Sequence, residues 1–507
     1  MSWGPTFIAA IESDNRAPTI SAALIQTPGG ANVGGQIEIS SEGILSVSGG
    51  SSTLTPGSWS STLGAFVLRL TPEAGSTLRV LIKRGSILEV HVAFPGTQGN
   101  RVMLGKVVDV DNRPGGMRIE CYDLVSALYN RLDNTDAEKL SLFSDVGAST
   151  TLSGNYTAGS GTMSVADTSA FQKSAKAPTR GLLLVTPTTG DPFYLKWSAS
   201  TASIFTVVTS GASFGTTDVD AVIGDTITHV GYLRGHPLDL VRQVLVSTGA
   251  AAAGTSDILP AEWGFGLDVD WLDVNDTIAW RDSVLASSTL ASGTYEWEIK
   301  IEAPQLGITW LTSLLNAAGL FLATRQGSLT VHCAQNLYNA QIETGITITD
   351  DDISEVLSYR LFDRAVPVEY NGTLLTAGDG ATQDDTTTGN ATAIGTFPGA
   401  YQAAHSLAGV WQNVAPILQR HREILRPWAT TVPERLQLRC RGWRLAQLSV
   451  GDVVRVTSAT LQGRLEAAGA TLTDRPAMVV RVAPAWDRDG VDLDLSLPPQ
   501  QTDPDHG

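Results

Sequence analysis

The chain has 507 residues, room for roughly three or four domains of ~100–200 residues each, so size does not limit its core. Hydrophobic residues make up 42%, charged residues only 17%, and glycine occurs 50 times among abundant Ser and Thr, which excludes a helical bundle and a disordered chain and points to a turn-rich β protein. The net charge of −17 excludes a surface built to hold nucleic acid or an anionic membrane.

Residues 1–145 read as a first β-barrel domain. Strands are expected at Ile37-Glu38-Ile39 and Ala65-Phe66-Val67-Leu68-Arg69-Leu70, then at Gly85-Ser86-Ile87-Leu88-Glu89-Val90, Val107-Val108-Asp109-Val110 and Met117-Arg118-Ile119-Glu120-Cys121. A short helix from Asp123 to Leu128 closes the unit. Residues 146–230 turn poor in charge, with short strands at Leu182–Val185 and Phe193–Trp197. Phe171, Phe193, Tyr194, Trp197 and Phe205 need burial, so this segment reads as a small inserted β domain and not a linker.

Residues 231–345 read as a mixed α+β domain. His236-Pro237 opens a helix with Leu240, Val241, Val244 and Leu245 on one side. Ile308, Leu311, Leu314, Leu315 and Ala318 mark a second helix ended by Gly319, and Phe321–Thr324 with Gly327–Val331 reads as a hairpin. Residues 346–500 return to β, with a strand at Val366–Tyr370, a polar loop at 376–390, a helical stretch at 403–425 kinked by Pro416, and a second barrel. From Pro498 the chain reads as loose, and 501–507 as a flexible tail.

The second barrel repeats the first. Gly451-Asp452-Val453-Val454-Arg455-Val456, Val479-Val480-Arg481-Val482 and Val491-Asp492-Leu493-Asp494-Leu495 follow the same order as their counterparts. The turns at Asn112–Gly116 and Asp487–Gly490 suit hairpins. Polar positions differ, Glu89 against Arg455 and Asp109 against Arg481. Two similar barrels is the reading favoured; convergence of two ordinary meanders is the alternative.

Chemistry leaves little trace. There is no phosphate loop, no HExxH, no CxxC, no GxSxG and no dinucleotide fingerprint. His332 and Cys333 are adjacent in an expected strand, so they point to opposite faces and make no dyad. Asp268, Asp270, Asp273 and Asp276 are interrupted by Trp271 and Leu272 and lack a calcium-loop glycine, so a solvated loop is favoured over an ion site. Asp350-Asp351-Asp352 reads as a turn or cap ahead of Ile353. Arg420, His421, Arg422 and Arg426 read as the wet face of a helix. A carboxylate pair for glycoside hydrolysis is set in space, and nothing marks one. No catalytic residue, cofactor or metal is expected. Cys121, Cys333 and Cys440 are too few and scattered for a disulfide framework, which suits folding in a reducing cytosol. The start, Met1-Ser2-Trp3-Gly4-Pro5, does not read as a signal peptide, and no apolar run approaches the ~18–20 residues of a spanning helix.

Taken together these stretches resemble the tail hub proteins of bacteriophages, a group that includes baseplate hubs of contractile phages and the hub portion of type VI secretion spike proteins. The likeness rests on Lys83–Val90 with Leu104–Val110 and Ile119–Leu124 for one hub barrel, and on Gln447–Val456 with 476–497 for the other. The stretch Ser164–Phe171 within 151–230 is similar to a β module inserted in tail-tip proteins, though Gly215-Thr216-Thr217 and Gly224-Asp225-Thr226 stand where an Arg-Gly pair and a His are usual. The resemblance implies a mainly β fold of two hub-type barrels and a non-enzymatic virion protein at the tail tip, made in the bacterial host cytoplasm. It implies a homotrimer whose six barrels adapt a six-fold tail tube to three-fold tip proteins. Tail tube and distal tail proteins, tip fibre or needle proteins and the tape-measure protein become expected partners. DNA would pass through an acidic channel without specific binding. Two rivals stand beside it: a receptor- or carbohydrate-binding tail protein using the 146–230 module, and a cell-wall or polysaccharide-degrading tail enzyme. Scattered tryptophans weaken the first, and the absence of a recognisable catalytic block weakens the second.

Overall fold

The computed structural model describes residues 5–12, 18–26, 32–55, 60–124, 141–171, 181–209, 216–246, 259–260, 263–284, 297–335, 343–360, 367–375, 382–388, 401–407, 434–461, 472–485 and 490–497. Helix α1 (Pro5–Glu12) leads into β1 (Thr19–Gln26), β2 (Asn32–Ile39) and β3 (Ile44–Gly49). The hairpin β4 (Ser52–Thr55) and β5 (Ser60–Leu63) follows, then β6 (Phe66–Leu70), α2 (Pro72–Leu78), β7 (Ile87–Ala93), β8 (Asn100–Arg113) and β9 (Gly116–Asp123). Seven of these strands curl into a half-barrel in the order β2-β1-β7-β8-β9-β6-β3. Strand β9 buries Met117, Ile119 and Cys121 and leaves Arg118 and Glu120 half-covered, the alternation that a sheet with one wet face requires. Helix α2 starts where Thr71 accepts a hydrogen bond from the Ala74 N–H at 3.3 Å and Pro72 occupies the first turn. The helix expected from Asp123 to Leu128 lies almost wholly outside the described residues.

The next strands are β10 (Ser141–Leu142), β11 (Ser149–Thr151), β12 (Thr162–Ser164), β13 (Gly181–Thr186), β14 (Phe193–Ser200), β15 (Ile204–Val207) and β16 (Thr226–Gly235). Six of them form the sheet β11-β16-β13-β14-β15-β12 around Phe171, Phe193, Trp197 and Phe205. Strand β16 outruns that sheet. Its far half belongs to the middle of the chain, which continues with α3 (Pro237–Val246), α4 (Val274–Val284), β17 (Trp297–Ile301), β18 (Gln305–Leu306), α5 (Gly307–Ala318), β19 (Leu320–Arg325) and β20 (Ser328–Cys333). There β16 pairs with β17, Gly231 opposite Ile301 and Gly235 opposite Trp297. Helix α3 is buried except at Asp239, which is half-buried, and even Arg242 and Gln243 are covered. Gly319 does end α5, with φ of 62°.

The last strands are β21 (Thr347–Ile348), β22 (Ile353–Arg360), β23 (Pro367–Leu375), β24 (Thr382–Thr388), β25 (Tyr401–Leu407), β26 (Glu434–Cys440), β27 (Val453–Val456), β28 (Arg475–Pro484) and β29 (Val491–Leu497). A second half-barrel runs β21-β27-β28-β29-β26-β22, and β23–β25 form a separate sheet in the order β24-β23-β25. Two expectations are corrected here. The polar loop 376–390 contains strand β24, where Thr386, Thr387 and Thr388 supply β-branched residues. The helical stretch 403–425 begins inside β25, because parallel pairing with β23 overrides the helix preference of Ala403 and Ala404. The rest of that stretch, with Pro416 and the Arg420–Arg426 cluster, lies outside the described residues, as does everything after Leu497.

The two half-barrels share one core. Leu68, Val107, Ile119 and Cys121 of the first pack in the same cluster as Leu438, Val454, Val479 and Leu493 of the second. A separate cluster with Trp263 and Trp280 fills the middle unit.

Candidate functional site

The repeat read from the sequence extends to individual hydrogen bonds. Strands β3, β6, β7, β8 and β9 recur in chain order and in sheet order as β22, β26, β27, β28 and β29. Gly85 and Gly451 both take a left-handed φ, 88° and 89°. Each donates its N–H to a valine carbonyl at 2.8 Å, Gly85 to Val107 and Gly451 to Val479, and each valine N–H returns a bond at 2.8 Å to the next residue, Ser86 or Asp452. The side chains of Ser86 and Asp452 then close their turns by accepting from the N–H of Lys83 (3.1 Å) and Ser449 (2.8 Å). Both long strands bulge at the same place, β8 between Val107 and Asp109 and β28 between Val479 and Arg481. Two unrelated meanders have no reason to share a corner, its bonds and a bulge.

The polar positions that distinguish the repeats are engaged within the chain. Glu89 pairs with Arg101 at 2.7 Å and His91 at 3.0 Å. Burial pushes its carboxyl up, but those two hydrogen-bonding partners outweigh burial and hold it below the usual value. Arg455 pairs with Glu343 at 2.6 Å. Asp109 lies 3.9 Å from Arg118, and Arg481 lies 3.7 Å from the buried Asp494, so the matching positions of β8 and β28 carry opposite charges.

The hairpin β19–β20 wedges between these repeats. On the first barrel, Arg101 donates to Ser328 Oγ at 2.7 Å and to the Asp270 carbonyl at 2.8 Å. Gly327 sits so close to Val102 that an added Cβ would stand 2.9 Å from its carbonyl carbon. On the second barrel, Ser449 Oγ donates to the Thr324 carbonyl at 3.1 Å, and Phe321 fills the space that a side chain on Gly451 would need. Ser61 of β5 donates to the Leu322 carbonyl, so the β4–β5 hairpin joins the same contact.

A buried polar network locks this wedge. Asp276 on α4 pairs with His332 Nε2 at 2.7 Å and Arg325 at 2.7 Å, and accepts from Thr330 at 2.7 Å. Burial would raise its carboxyl, yet the His332 and Arg325 charges and the Thr330 hydroxyl hold it far below the usual value. Arg325 also reaches Asp452 at 3.8 Å, and burial pushes the Asp452 carboxyl up against that attraction. The second ring nitrogen of His332 faces the Val450 carbonyl at 3.3 Å, and Trp280 stacks on the ring with centroids 4.5 Å apart. An imidazole between a carboxylate and a backbone carbonyl has no nucleophile to serve. The network fastens the middle unit to the corner of the second barrel.

Several sequence readings meet here. His332 and Cys333 do part company, His332 into this network and Cys333 into the core of the middle unit. The Asp268–Asp276 group is a solvated loop only in its first half, where Asp268 and Asp270 are exposed. Asp268 accepts from the Asp270 N–H at 3.0 Å, Asp273 is 2% exposed and caps α4 through the Asp276 N–H at 3.1 Å, and Asp276 points into the network. Among the described residues, no group of three or more His, Cys, Asp or Glu could hold a metal ion. Asp350 accepts from Ser458 Oγ and the Ala459 N–H, and Asp352 from the Thr349 N–H at 2.8 Å, so this acidic run is a turn ahead of β22. Sequence reasoning missed Arg325 and Asp452 as partners, and the only signal was the polar residue after each corner glycine.

No protein-family model matches the chain, and no curated protein matches it. Solved structures do. The 43 kDa tail protein of prophage MuSo2 from Shewanella oneidensis matches at 11% identity over 96% of this chain and 99% of that one, with a TM-score of 0.37. In fold, this chain is similar to phage tail proteins. A tail protein from Neisseria meningitidis MC58 matches at 10% identity, covering 95% of this chain and 96% of that one, with a TM-score of 0.35. Prophage tail protein gp18 from Listeria monocytogenes EGD-e matches at 8% identity, 94% of each chain and a TM-score of 0.37.

Proposed function

We propose that this chain is a structural hub of a phage tail tip or baseplate, acting as a homotrimer. The observation that carries the reading is the duplication itself: two half-barrels with one topology, one corner and one bulge, fused through a shared core. Three such chains present six like units arranged with three-fold symmetry. That is what a joint between a six-fold tube and a three-fold tip requires, and different surface charges on the repeats let the six units act as two kinds.

On this reading the partners are tail tube and distal tail proteins on one side and fibre or needle proteins on the other. The tape-measure protein and DNA would pass through the ring. The charge of −17 per chain would keep DNA from adhering on its way out. The chain would divide at about residues 145, 230 and 345, its inserted module free to meet the host cell surface, and it would carry out no catalysis. Mass photometry of the purified chain, with negative-stain averages after mixing with tail-tube protein, tests the proposal. A trimer, or a three-fold ring with pseudo-six-fold views, is expected. A monomer that never joins a ring would overturn it and favour the receptor- or carbohydrate-binding alternative.

A further inference from the structure

The β4–β5 hairpin interrupts the first barrel between β3 and β6 but pairs with the second. Thr53 lies opposite Arg481 and Ser52 opposite Val482, antiparallel to β28. The second barrel is interrupted at the matching place. Between β22 and β26, the counterparts of β3 and β6, the chain builds the sheet β24-β23-β25. Like β4–β5, its first two strands form an antiparallel hairpin, Leu375 opposite Thr382 and Glu369 opposite Thr388.

The shared bulge identifies what the first barrel lacks. Arg481 and Val482 of β28, which receive β4, correspond to Asp109 and Val110 of β8. On that side β7 accompanies β8 only as far as Lys106, with the corner bonds at Val107, and among the described residues no strand pairs beyond. The Asp109 side chain is accordingly 63% exposed where Arg481 is 31% exposed. An unpaired stretch of long strand is a template for another strand.

We propose that strand β25 of one copy pairs with this open β8 edge of the next copy, as β4 pairs with β28 within a copy. The inference rests on the ring reading above and names its joint. Strand β25 is the right edge on two grounds. It lies beyond β23 on the side away from β24, so it ends the sheet there. It contains no Asp or Glu, whereas β24 would bring Asp384 and Asp385 towards Asp109 and Asp111. A joint between two different patches is heterologous, and in a closed ring each copy gives one strand forward and receives one from behind.

Disulfide trapping in the full chain tests this. The three native cysteines are buried and form no disulfide, so engineered pairs stand out. Asp109→Cys and Ala404→Cys chains, mixed and oxidised, are expected to give a covalent dimer that neither gives alone, and the double variant a covalent trimer. Asp111→Cys with Ala404→Cys covers a register shifted by two residues. In the unaltered chain, amide exchange at residues 108–113 is expected to slow about tenfold or more on assembly. An intrachain bond in the double variant, or a trimer by mass photometry that neither cross-links nor protects 108–113, overturns the joint and leaves the hub reading standing. A chain that stays monomeric even with tail-tube protein overturns both.

Discussion

Phe321 of the β19–β20 hairpin occupies the volume that a side chain on Gly451 would need, so the corner of the second barrel is closed by a ring from the middle unit. Gly451 is doubly constrained, by that ring and by its φ of 89°. An alanine in the left-handed region costs about 1–2 kcal/mol, and forcing a methyl into a filled core adds about 1–3. Gly451→Ala should therefore lower stability by about 2–5 kcal/mol in denaturant titrations. In a Phe321→Leu background the same change should cost only the backbone part. A double-mutant cycle showing no coupling would separate the two residues and remove the wedge from the account.

The Asp276 network predicts an acid-side loss of stability with a definite sign. Asp276 is held below its ordinary value of 3.8, burial being outweighed by His332, Arg325 and Thr330. A depressed folded-state value means that the ionised carboxylate stabilises the fold above the unfolded value and that this contribution is lost as pH falls through the folded one. Thermal midpoints should drop as pH is lowered below about 4, and Asp276→Asn should flatten that drop. At neutral pH the same variant should cost about 3–5 kcal/mol, since Arg325 loses its buried counter-charge and His332 its carboxylate hydrogen-bond partner. Asp452 runs the other way. Burial raises its carboxyl, so its stabilising form is the protonated one, favoured below the unfolded value and lost as pH rises through the folded one. Asp452→Asn should thus cost clearly less than Asp276→Asn at neutral pH. Equal losses would refute this division of roles.

How far the sequence reached follows from the range of each interaction. Strands β7–β9 and β27–β29 were legible because alternation and a glycine corner are local signals, and pairing between chain neighbours needs no further information. Ser52–Thr55 shows no sign of its partner, since a short Ser/Thr strand fits many edges and the choice of β28 depends on the shared core. Asp276 was legible only as one acid among four. Its role comes from α4, β19, β20 and the Asp452 corner meeting in space. Ala403 and Ala404 pointed to a helix because propensity is a local preference that strand pairing with β23 overrules.

The sheet of β11–β16 carries a hydrogen-bonded turn with an apolar tip. Val222 and Ile223 are 51% and 63% exposed, yet their turn is fully tied down. Asp225 accepts from the Val222 N–H at 2.7 Å and from the Thr188 N–H and hydroxyl at 2.8 and 2.6 Å, and Asn155 accepts from the Ile223 N–H at 3.1 Å. Asp225→Ala should cost about 1–2 kcal/mol and speed proteolysis at this turn, because three part-buried donors lose their acceptor. Val222→Ser with Ile223→Ser should change stability by no more than about 0.5 kcal/mol, because exposed side chains contribute little to folding. A tip that loses stability on the double serine change would be packed, not displayed.

The buried thiols give each region its own clock for opening. Burial pushes the Cys440 thiol up to about 12, with Asp352 and Asp492 adding to the effect, and raises Cys121 beyond the usual thiol range. At pH 8 Cys440 therefore stays in its unreactive thiol form, and the side chain is covered as well. Ellman's reagent should therefore label none of Cys121, Cys333 and Cys440 over an hour in the native chain, and all three in denaturant. Since Cys121 and Cys440 sit in one shared core, their labelling should accelerate together in Gly451→Ala. Cys440 labelling that outpaces Cys121 would mean that the second half-barrel opens alone, and the two sheets would then be neighbours and not one cooperative unit.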